Sequence, residues 1–154
     1  MKTRNEIMDS FCYSDEDIIF GFVGNYSFLS NFYPCTIRYK DRIFKCSEAA
    51  FMSEKTLDES QKDLISNMNA AESKKFGRKV ELRDDWEKVR CEIMKDVLTE
   101  KFKQNPILLN KLKQTGDKEI VEANYWNDRF WGCDSDGVGQ NKLGKILMEL
   151  REEI

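Results

Sequence analysis

The longest periodic stretch of the 154-residue chain, residues 85–106, reads DWEKVRCEIMKDVLTEKFKQNP. Apolar side chains recur at three- and four-residue spacing from Trp86 to Phe102, which predicts one long amphipathic helix. Asp85 is a candidate N-cap, and Pro106 stops this helix and starts another. A helix of this length, with no strand of similar strength elsewhere, favours a mainly α-helical fold.

The segments on either side predict further helices from their caps and apolar spacing. Asn69 and Glu72 have the spacing of a capping box, in which each side chain bonds the backbone N–H of the other residue. Helices are expected to begin at Ser47, Asp58, Asn69 and Pro106, and the last one follows the glycine-rich turn 137–139. Most of the chain after residue 46 is therefore expected to be helical.

Strand-like segments are few and short. Runs of β-branched and aromatic residues predict strands at 18–23, 36–40, 42–46 and 119–123. The first three are expected to form a small antiparallel sheet. The fold class is thus α+β, a mainly α-helical single domain over residues 18–154 with a small antiparallel β-sheet. Residues 1–17 are polar and acidic and are expected to be a flexible N-terminal lead-in.

The charge balance argues against extended polyanionic partners. The chain has 25 Lys and Arg against 28 Asp and Glu, a formal charge of −3. This balance gives no general field for duplex nucleic acid or an anionic membrane, although a local basic patch can still bind a phosphate. The longest apolar run, 18–23, is too short to span a bilayer, and the first residues lack the apolar core of a signal peptide. We expect a cytoplasmic protein with no membrane contact.

Histidine and cysteine usage narrows the chemistry. The chain has no histidine, which excludes Ser-His and Cys-His nucleophile activation, imidazole acid/base catalysis and His-ligated metals. Its five cysteines are scattered and form no CxxC pair, so neither a disulfide scaffold nor a zinc site is predicted. If the protein is an enzyme, carboxylates or lysines move its protons, and no metal is expected.

Two aromatic segments contain candidate ligand-binding groups. Asp128 is the one acid in segment 125–131, whose four aromatic side chains either close the core or form a shelf for a ligand. Ser30 and Asn31 lie between aromatic residues, where they either orient a ligand or satisfy their own turn.

Three further polar groups have both a functional and a structural interpretation. Glu48 is expected in the first turn of its helix, where the helix dipole favours an acid whether or not it is catalytic. Asn141 follows the turn 137–139, which either offers backbone N–H groups to a phosphate or simply precedes a helix. Arg78 either binds phosphate or lies in a solvated turn.

Taken in order, a set of short motifs resembles the NADAR, or YbiA-like, family. The motifs are Ser30-Asn31-Phe32, Glu48 followed by Lys55, Gly77-Arg78, Trp86, Lys101-Phe102-x-Gln104-Asn105, Asp128-x-x-Trp131-Gly132 and Gly139-x-Asn141-x-Leu143-Gly144. The resemblance runs from about Phe20 to Arg151. Each motif is short, and their order along the chain makes the set specific.

The resemblance implies an N-glycosidase that needs no metal or cofactor and cleaves the carbon–nitrogen bond between ribose and a base or amine. The substrates it implies are phosphorylated ribosylamino-pyrimidine intermediates of riboflavin synthesis and ADP-ribose attached to guanine. The matching catalytic positions are Glu48 and Asp128. The matching positions around the substrate are Ser30, Asn31, Phe32, Lys55, Arg78, Trp86, Trp131, Gly132 and Asn141. Ala49 stands where the family usually has His, and Phe51 where Tyr is common.

Two carboxylates suffice for such a reaction. Cleavage of an N-riboside passes through an oxocarbenium-like sugar, which one carboxylate stabilises while the other protonates the leaving nitrogen or activates water. Glu48 is the expected acid/base and Asp128 the expected stabiliser or water activator, with the reverse assignment still open.

Two other functions are compatible with the sequence. The first is a non-catalytic module that binds ADP-ribose or NAD on segment 125–131. The second is an enzyme that removes ADP-ribose from guanine in single-stranded DNA, since a charge of −3 disfavours tight binding to a duplex. In each case the expected partner is a nucleotide or an ADP-ribose-type group.

Overall fold

The computed structural model describes all 154 residues as an α+β fold dominated by helices. Seven α-helices occupy Arg4–Asp9 (α1), Ser47–Ser53 (α2), Glu59–Ser66 (α3), Ala70–Gly77 (α4), Trp86–Gln104 (α5), Pro106–Gln114 (α6) and Lys142–Glu153 (α7). Five strands occupy Tyr13–Ser14 (β1), Ile18–Phe20 (β2), Ile37–Tyr39 (β3), Arg42–Phe44 (β4) and Glu119–Val121 (β5), and a 3₁₀ helix spans Gly24–Leu29. The predicted fold class is confirmed. None of the helices combines the length and the apolar character needed to cross a bilayer.

The chain forms two compact units that differ in how they are built. One, which we call the split unit, combines Met1–Ser30 with Lys111–Ile154. The other, the continuous unit, is the uninterrupted segment Asn31–Asn110. The predicted site residues are divided between the two units, so each group is described within its own unit.

Helix α2 is the centre of the continuous unit. All seven of its residues are buried, and it packs against α3, α4 and α5. Close packing depends on small side chains, because a Cβ atom at Gly77 of α4 would collide with the Met52 sulfur of α2. Strands β3 and β4 form an antiparallel hairpin in which Ile37 faces Phe44. This hairpin contains two of the three segments that were expected to form the small antiparallel sheet.

The split unit contains a second sheet that the sequence did not reveal. Strand β2 does not join β3 and β4. It pairs antiparallel with β1 and parallel with β5, with Ile18 opposite Glu119. Partners so far apart along the chain leave no local turn or spacing signal. Helix α7 packs on β5, where a Cβ atom at Gly144 would collide with the Ile120 carbonyl oxygen.

Three local features differ from the sequence-based expectations. Cys46, and not the serine after it, is the N-cap of α2. The Asp85 side chain does not cap α5, because it pairs with Arg83 at 2.7 Å instead. The segment expected to be a flexible lead-in contains β1 and the helix α1, whose N-cap Thr3 accepts a hydrogen bond from the backbone N–H of Glu6 at 3.1 Å.

Candidate active site

Glu48, the predicted acid/base, lies in the first turn of α2 and is 8% exposed. Its backbone N–H donates to the Asn31 carbonyl oxygen at 3.0 Å, and the neighbouring Ser47 hydroxyl donates to the Asn31 amide oxygen at 2.8 Å. The Asn31 amide nitrogen lies 3.5 Å from the sulfur of Met94 in α5. Asn31 therefore fixes the backbone that carries Glu48.

Lys55 and Arg78 form an electrostatic group with Glu48. Lys55 follows α2 and is half-buried, and Arg78 is the exposed C-cap residue of α4. Burial lowers the pKa of Lys55, the Glu48 carboxylate raises it, and the Arg78 guanidinium lowers it. These opposing effects on one ammonium group place both other charges within its electrostatic reach. Two cations beside one carboxylate leave a local positive charge that suits a phosphate.

Aromatic rings accompany these charges in the continuous unit. Phe51 of α2 and Trp86 of α5 are both buried, with ring centroids 5.0 Å apart and an interplanar angle of 49°. Phe32 is half-buried, and the Lys74 Nζ atom lies 5.6 Å from the centroid of its ring. The ring pair fixes α5 against α2, and Lys74 is a nearby cation that the sequence analysis did not single out.

Asp128, the second predicted carboxylate, is held by a tight turn in the split unit. Its Oδ1 atom accepts hydrogen bonds from the backbone N–H groups of Phe130 and Trp131 at 3.1 and 2.9 Å. The Asn124 side chain bonds the Asp128 N–H and carbonyl oxygen at 3.0 and 2.9 Å. No protein group donates a hydrogen bond to Oδ2. One carboxylate oxygen is thus fixed by the backbone, and the other is left for water or a ligand.

Trp131, Gly132 and Ser30 also belong to the split unit. The half-buried Trp131 ring packs edge-on against Phe130, with centroids 4.8 Å apart. Gly132 is buried, and a Cβ atom there would collide with the Glu122 carbonyl oxygen. Ser30 ends the 3₁₀ helix, with its backbone N–H bonded within that helix. Trp131 and Gly132 therefore shape the backbone next to the Asp128 turn. Ser30 is the last residue of the Met1–Ser30 part of the split unit, directly before the continuous unit begins at Asn31.

Asn141 has a structural position at the start of α7. It is the N-cap residue in a left-handed conformation, with φ 49°. Its side-chain nitrogen donates to the Ile120 carbonyl oxygen at 2.9 Å, and its side-chain oxygen accepts from the Glu122 N–H at 3.0 Å. The amide thus fastens α7 to β5, and the sequence, which indicated a turn or a phosphate cradle, did not reveal this contact.

Sequence reasoning also missed a buried acid at the other end of α2. Glu54, its C-cap residue, is 2% exposed. Its carboxylate lies 3.2 Å from Lys62, 3.1 Å from Lys40 and 3.6 Å from Arg83. We call this group the Glu54 ion cluster. Its three cations come from separate segments of the continuous unit, so no spacing in the sequence could announce it.

The two units offer carboxylates, cations and aromatic rings for chemistry. Nowhere are three His, Cys, Asp or Glu side chains grouped as metal ligands. Carboxylates can transfer a proton and stabilise positive charge, cations bind phosphate, and rings pack against a base. Each unit thus has a carboxylate accompanied by aromatic rings, and the continuous unit adds the cations Lys55 and Arg78.

Comparison with known proteins gives consistent matches along nearly the whole chain. The model of the NADAR domain family matches residues 15–154. An N-glycosidase of Nostoc punctiforme is 35% identical over 84% of this chain and 86% of its own length. The N-glycosidase YbiA of Escherichia coli is 35% identical over 84% of this chain and 82% of its own length.

Two further matches extend this similarity. A protein of Vibrio vulnificus named as a riboflavin biosynthesis protein is 38% identical over 84% of this chain, which spans only 36% of that longer protein. The NMR structure of E. coli YbiA superposes with a TM-score of 0.80 at 31% identity and covers 99% of this chain and 92% of that one. The similarity therefore includes both sequence and three-dimensional structure.

Proposed function

Because this chain belongs to the NADAR family, we propose that it is an N-glycosidase whose chemistry is performed by Glu48 and Asp128 without a metal. The names of the relatives confirm the predicted enzyme class, a glycosyl hydrolase acting on N-glycosidic bonds. The roles of individual residues and the identity of the substrate are the new part of the proposal.

The observation that carries the proposal is the setting of Glu48. Glu48 is 8% exposed and its backbone is fixed by Asn31, so its side chain starts from a defined position with little water around the residue. Lys55 and Arg78 lie in its electrostatic surroundings and supply positive charge for a substrate phosphate. Glu48 then acts as general acid toward the leaving nitrogen or as general base toward water.

Asp128 supplies the second carboxylate in this mechanism. Its Oδ1 atom is occupied by two backbone N–H groups, so Oδ2 is the atom that faces the chemistry. A fixed negative charge stabilises the oxocarbenium-like sugar as the carbon–nitrogen bond breaks, or orients the attacking water. The other proposed ligand contacts follow the family motifs and come from Ser30, Asn31, Phe32, Trp86, Trp131, Gly132 and Asn141. The side chains of Asn31 and Asn141 also make structural hydrogen bonds, to Ser47 and to Ile120.

We propose a phosphorylated ribosylamino-pyrimidine as the substrate. The name of the Vibrio relative supports a link to riboflavin synthesis, and the Lys55–Arg78 pair suits a ribose phosphate. ADP-ribose on guanine in single-stranded DNA is the second candidate, because it presents the same N-riboside and phosphate chemistry. All five cysteines carry free thiols, which suits the reducing cytoplasm in which such substrates occur.

The test is product analysis by mass spectrometry. Wild type, Glu48→Gln and Glu59→Gln are each incubated with a phosphorylated ribosylamino-pyrimidine and with an oligonucleotide carrying ADP-ribosylated guanine, with and without EDTA. Glu59 is a matched control because it also lies in a first helical turn, but its side chain is 73% exposed. We expect wild type and Glu59→Gln, but not Glu48→Gln, to release ribose phosphate from the pyrimidine substrate despite EDTA.

Other outcomes would change the proposal in defined ways. Turnover of the oligonucleotide alone would make ADP-ribosylated guanine the substrate. Loss of turnover in EDTA would show that the enzyme needs a metal ion. No turnover of either substrate, together with tight binding of ADP-ribose, would make this chain a non-catalytic binding module.

The same assay tests Asp128 against a matched aspartate. Asp134 Oδ1 also accepts two backbone N–H groups, from Asp136 and Val138, but its Oδ2 is paired with Arg129 at 2.9 Å. We expect Asp128→Asn to slow turnover and Asp134→Asn to leave it unchanged. Equal effects of the two substitutions on turnover would show that Asp128 only stabilises its turn, as Asp134 does.

A further inference from the structure

Two cysteines lie on neighbouring segments just beyond the β3–β4 hairpin. Cys35 is two residues before Ile37 and Cys46 two residues after Phe44, and Ile37 faces Phe44 in the ladder. Past the strands the pairing shifts by one residue, because the Cys35 N–H donates to the Lys45 carbonyl oxygen at 3.0 Å. Cys46 keeps an extended backbone, with φ −169° and ψ 166°. Cys35 therefore lies across from the Lys45–Cys46 segment.

Both thiols belong to the inward side of the hairpin. Side chains alternate between the two faces of an extended chain. Phe44 and Cys46 are buried, and the residue between them is exposed. Ile37 is buried and Cys35 half-buried, and Thr36 between them is exposed. Cys35 lies beside Lys45, the chain neighbour of Cys46, and the two thiols are close enough for Cys35 to contribute to the raised pKa of Cys46. A disulfide joins residues whose Cα atoms are roughly 4.4–6.8 Å apart, so closing this pair needs only a small local movement.

A buried lysine lies beside the two thiols. Lys101 of α5 is 0% exposed, and burial lowers its pKa to about 8 while Cys35 and Cys46 raise it. The end of α5 is tied to the same segment, because the Asn105 side chain donates to the carbonyl oxygens of Thr36 at 3.2 Å and Lys101 at 2.8 Å. Burial raises the pKa of the Cys35 thiol, and the Lys101 charge opposes that rise. Burial also raises the pKa of the Cys46 thiol, and the Glu48 carboxylate adds to that rise. Two thiols and one amine thus form a cluster beside the first turn of α2 that shares no residue with the proposed active site.

We propose that Cys35 and Cys46 are an oxidation site that closes to an intramolecular disulfide when the protein meets a peroxide, with Lys101 as the adjacent proton carrier. Cys35 reacts first because it is half-buried, whereas Cys46 is 1% exposed. The Cys35 thiolate attacks one oxygen of hydrogen peroxide, the O–O bond breaks, and a sulfenic acid forms as the first water leaves.

In the second step the sulfenic acid of Cys35 is converted to the disulfide. The Cys46 thiolate attacks the Cys35 sulfur, the S–S bond forms and the S–O bond breaks, and the departing hydroxide is protonated to a second water. Lys101 passes the thiol protons to the departing oxygen atoms. Two thiols are oxidised and one peroxide is reduced. The disulfide would tie down Cys46, the N-cap of α2, two residues before Glu48. This inference does not depend on the substrate of the enzyme.

The experiment follows thiol loss in the intact protein. Wild type, Cys35→Ser, Cys46→Ser and Cys91→Ser are treated with hydrogen peroxide, alkylated and analysed by intact and peptide mass spectrometry. Cys91 is the matched control because it is also half-buried but lies elsewhere, on α5. We expect wild type and Cys91→Ser to lose two thiols and the mass of two hydrogen atoms, with a peptide linking Cys35 to Cys46. Dithiothreitol should restore both thiols.

Cys35→Ser and Cys46→Ser should form no such link, and Lys101→Met should form it several-fold more slowly. Both cysteines remaining open to alkylation in peroxide-treated wild type would overturn the proposal, as would oxidation of Cys35 to sulfinic acid without a link. A disulfide that is lost in Cys91→Ser or joins two chains would also overturn it. An unchanged rate in folded Lys101→Met would remove Lys101 from the mechanism.

Discussion

Helix α2 carries a buried glutamate at each end, and the two are held in different ways. Glu54 is surrounded by three cations at 3.1–3.6 Å, so its charge is compensated directly by ion pairs. The backbone of Glu48 is fixed by Asn31, and its carboxylate acts electrostatically on the half-buried Lys55. At the Glu54 end the ion pairs join three separate segments and contribute to stability, whereas the Glu48 end carries the chemistry that we propose.

The largest effect should come from Glu48→Gln. General acid/base catalysis contributes roughly 10²–10⁴-fold to a rate, and the amide cannot transfer the proton. We expect kcat to fall by about that factor, with the thermal unfolding midpoint close to that of wild type. Steady-state kinetics and calorimetry on the same preparation test this. A variant that is active but much less stable would make Glu48 a structural residue and abolish the contrast with Glu54.

Glu54→Gln should have the opposite signature. Removing one member of a buried ion pair leaves its partners uncompensated and costs about 3 kcal/mol or more. Lys62 and Arg83 are mostly buried, with side chains 10% and 16% exposed, so water cannot fully replace the lost carboxylate. We expect a fall of about 3 kcal/mol in the free energy of unfolding in urea. The folded fraction should keep its kcat. Normal stability with lost activity would instead show that Glu54 takes part in catalysis and not in stability.

The charge of Lys55 should make phosphate binding near Glu48 depend on pH. Burial lowers its pKa, so its charge disappears at a lower pH than that of an ordinary lysine. A charged hydrogen bond is worth roughly 1.5 kcal/mol, so the Kd for ribose 5-phosphate should rise about tenfold as pH increases through the lowered pKa. Titration calorimetry from neutral to alkaline pH measures this. Lys55→Arg keeps its charge and should show a flat profile; the same rise in that variant would assign it to another group.

The smallest expected effect is a difference in kcat between substitutions of two buried serines of α2. Ser47 donates to the Asn31 side chain at 2.8 Å, whereas Ser53 donates to the Ala50 carbonyl oxygen of its own helix at 2.7 Å. Each substitution to alanine should cost about 1 kcal/mol in stability. Only Ser47→Ala should also lower kcat, by a few-fold, because it loosens the Asn31 contact that positions Glu48. Equal kcat values for the two variants would show that this contact does not matter for positioning.

Local chemistry made much of the continuous unit predictable. The capping box of Asn69 and Glu72 forms as expected, and Asp58 caps α3 through the N–H groups of Ser60 and Gln61. These features depend on residues within one turn of each other, which a sequence displays directly. The Thr3–Glu6 spacing at the start of α1 was the same kind of signal, and the sequence analysis overlooked it.

Features that depend on distant parts of the chain were not predictable. The parallel pairing of β2 with β5, the Glu54 ion cluster and the fastening of α7 to β5 by Asn141 all join separate segments. The motifs supplied the candidate site residues through their order along the chain. They did not reveal that the Asn31 amide oxygen is engaged by Ser47, because side-chain partners are set by packing.

The pairing of β2 with β5 also has a consequence for synthesis of the protein on the ribosome. Strand β2 is made early, but its partner β5 begins at Glu119, after the whole of Asn31–Asn110. The continuous unit can fold while the ribosome is still translating, since all of its partners are already present. The apolar residues Ile19 and Phe20 meanwhile lack their partners in β5, Ile120 and Val121. We therefore expect the β2 segment of the nascent protein to need protection until residues 119–121 have been made.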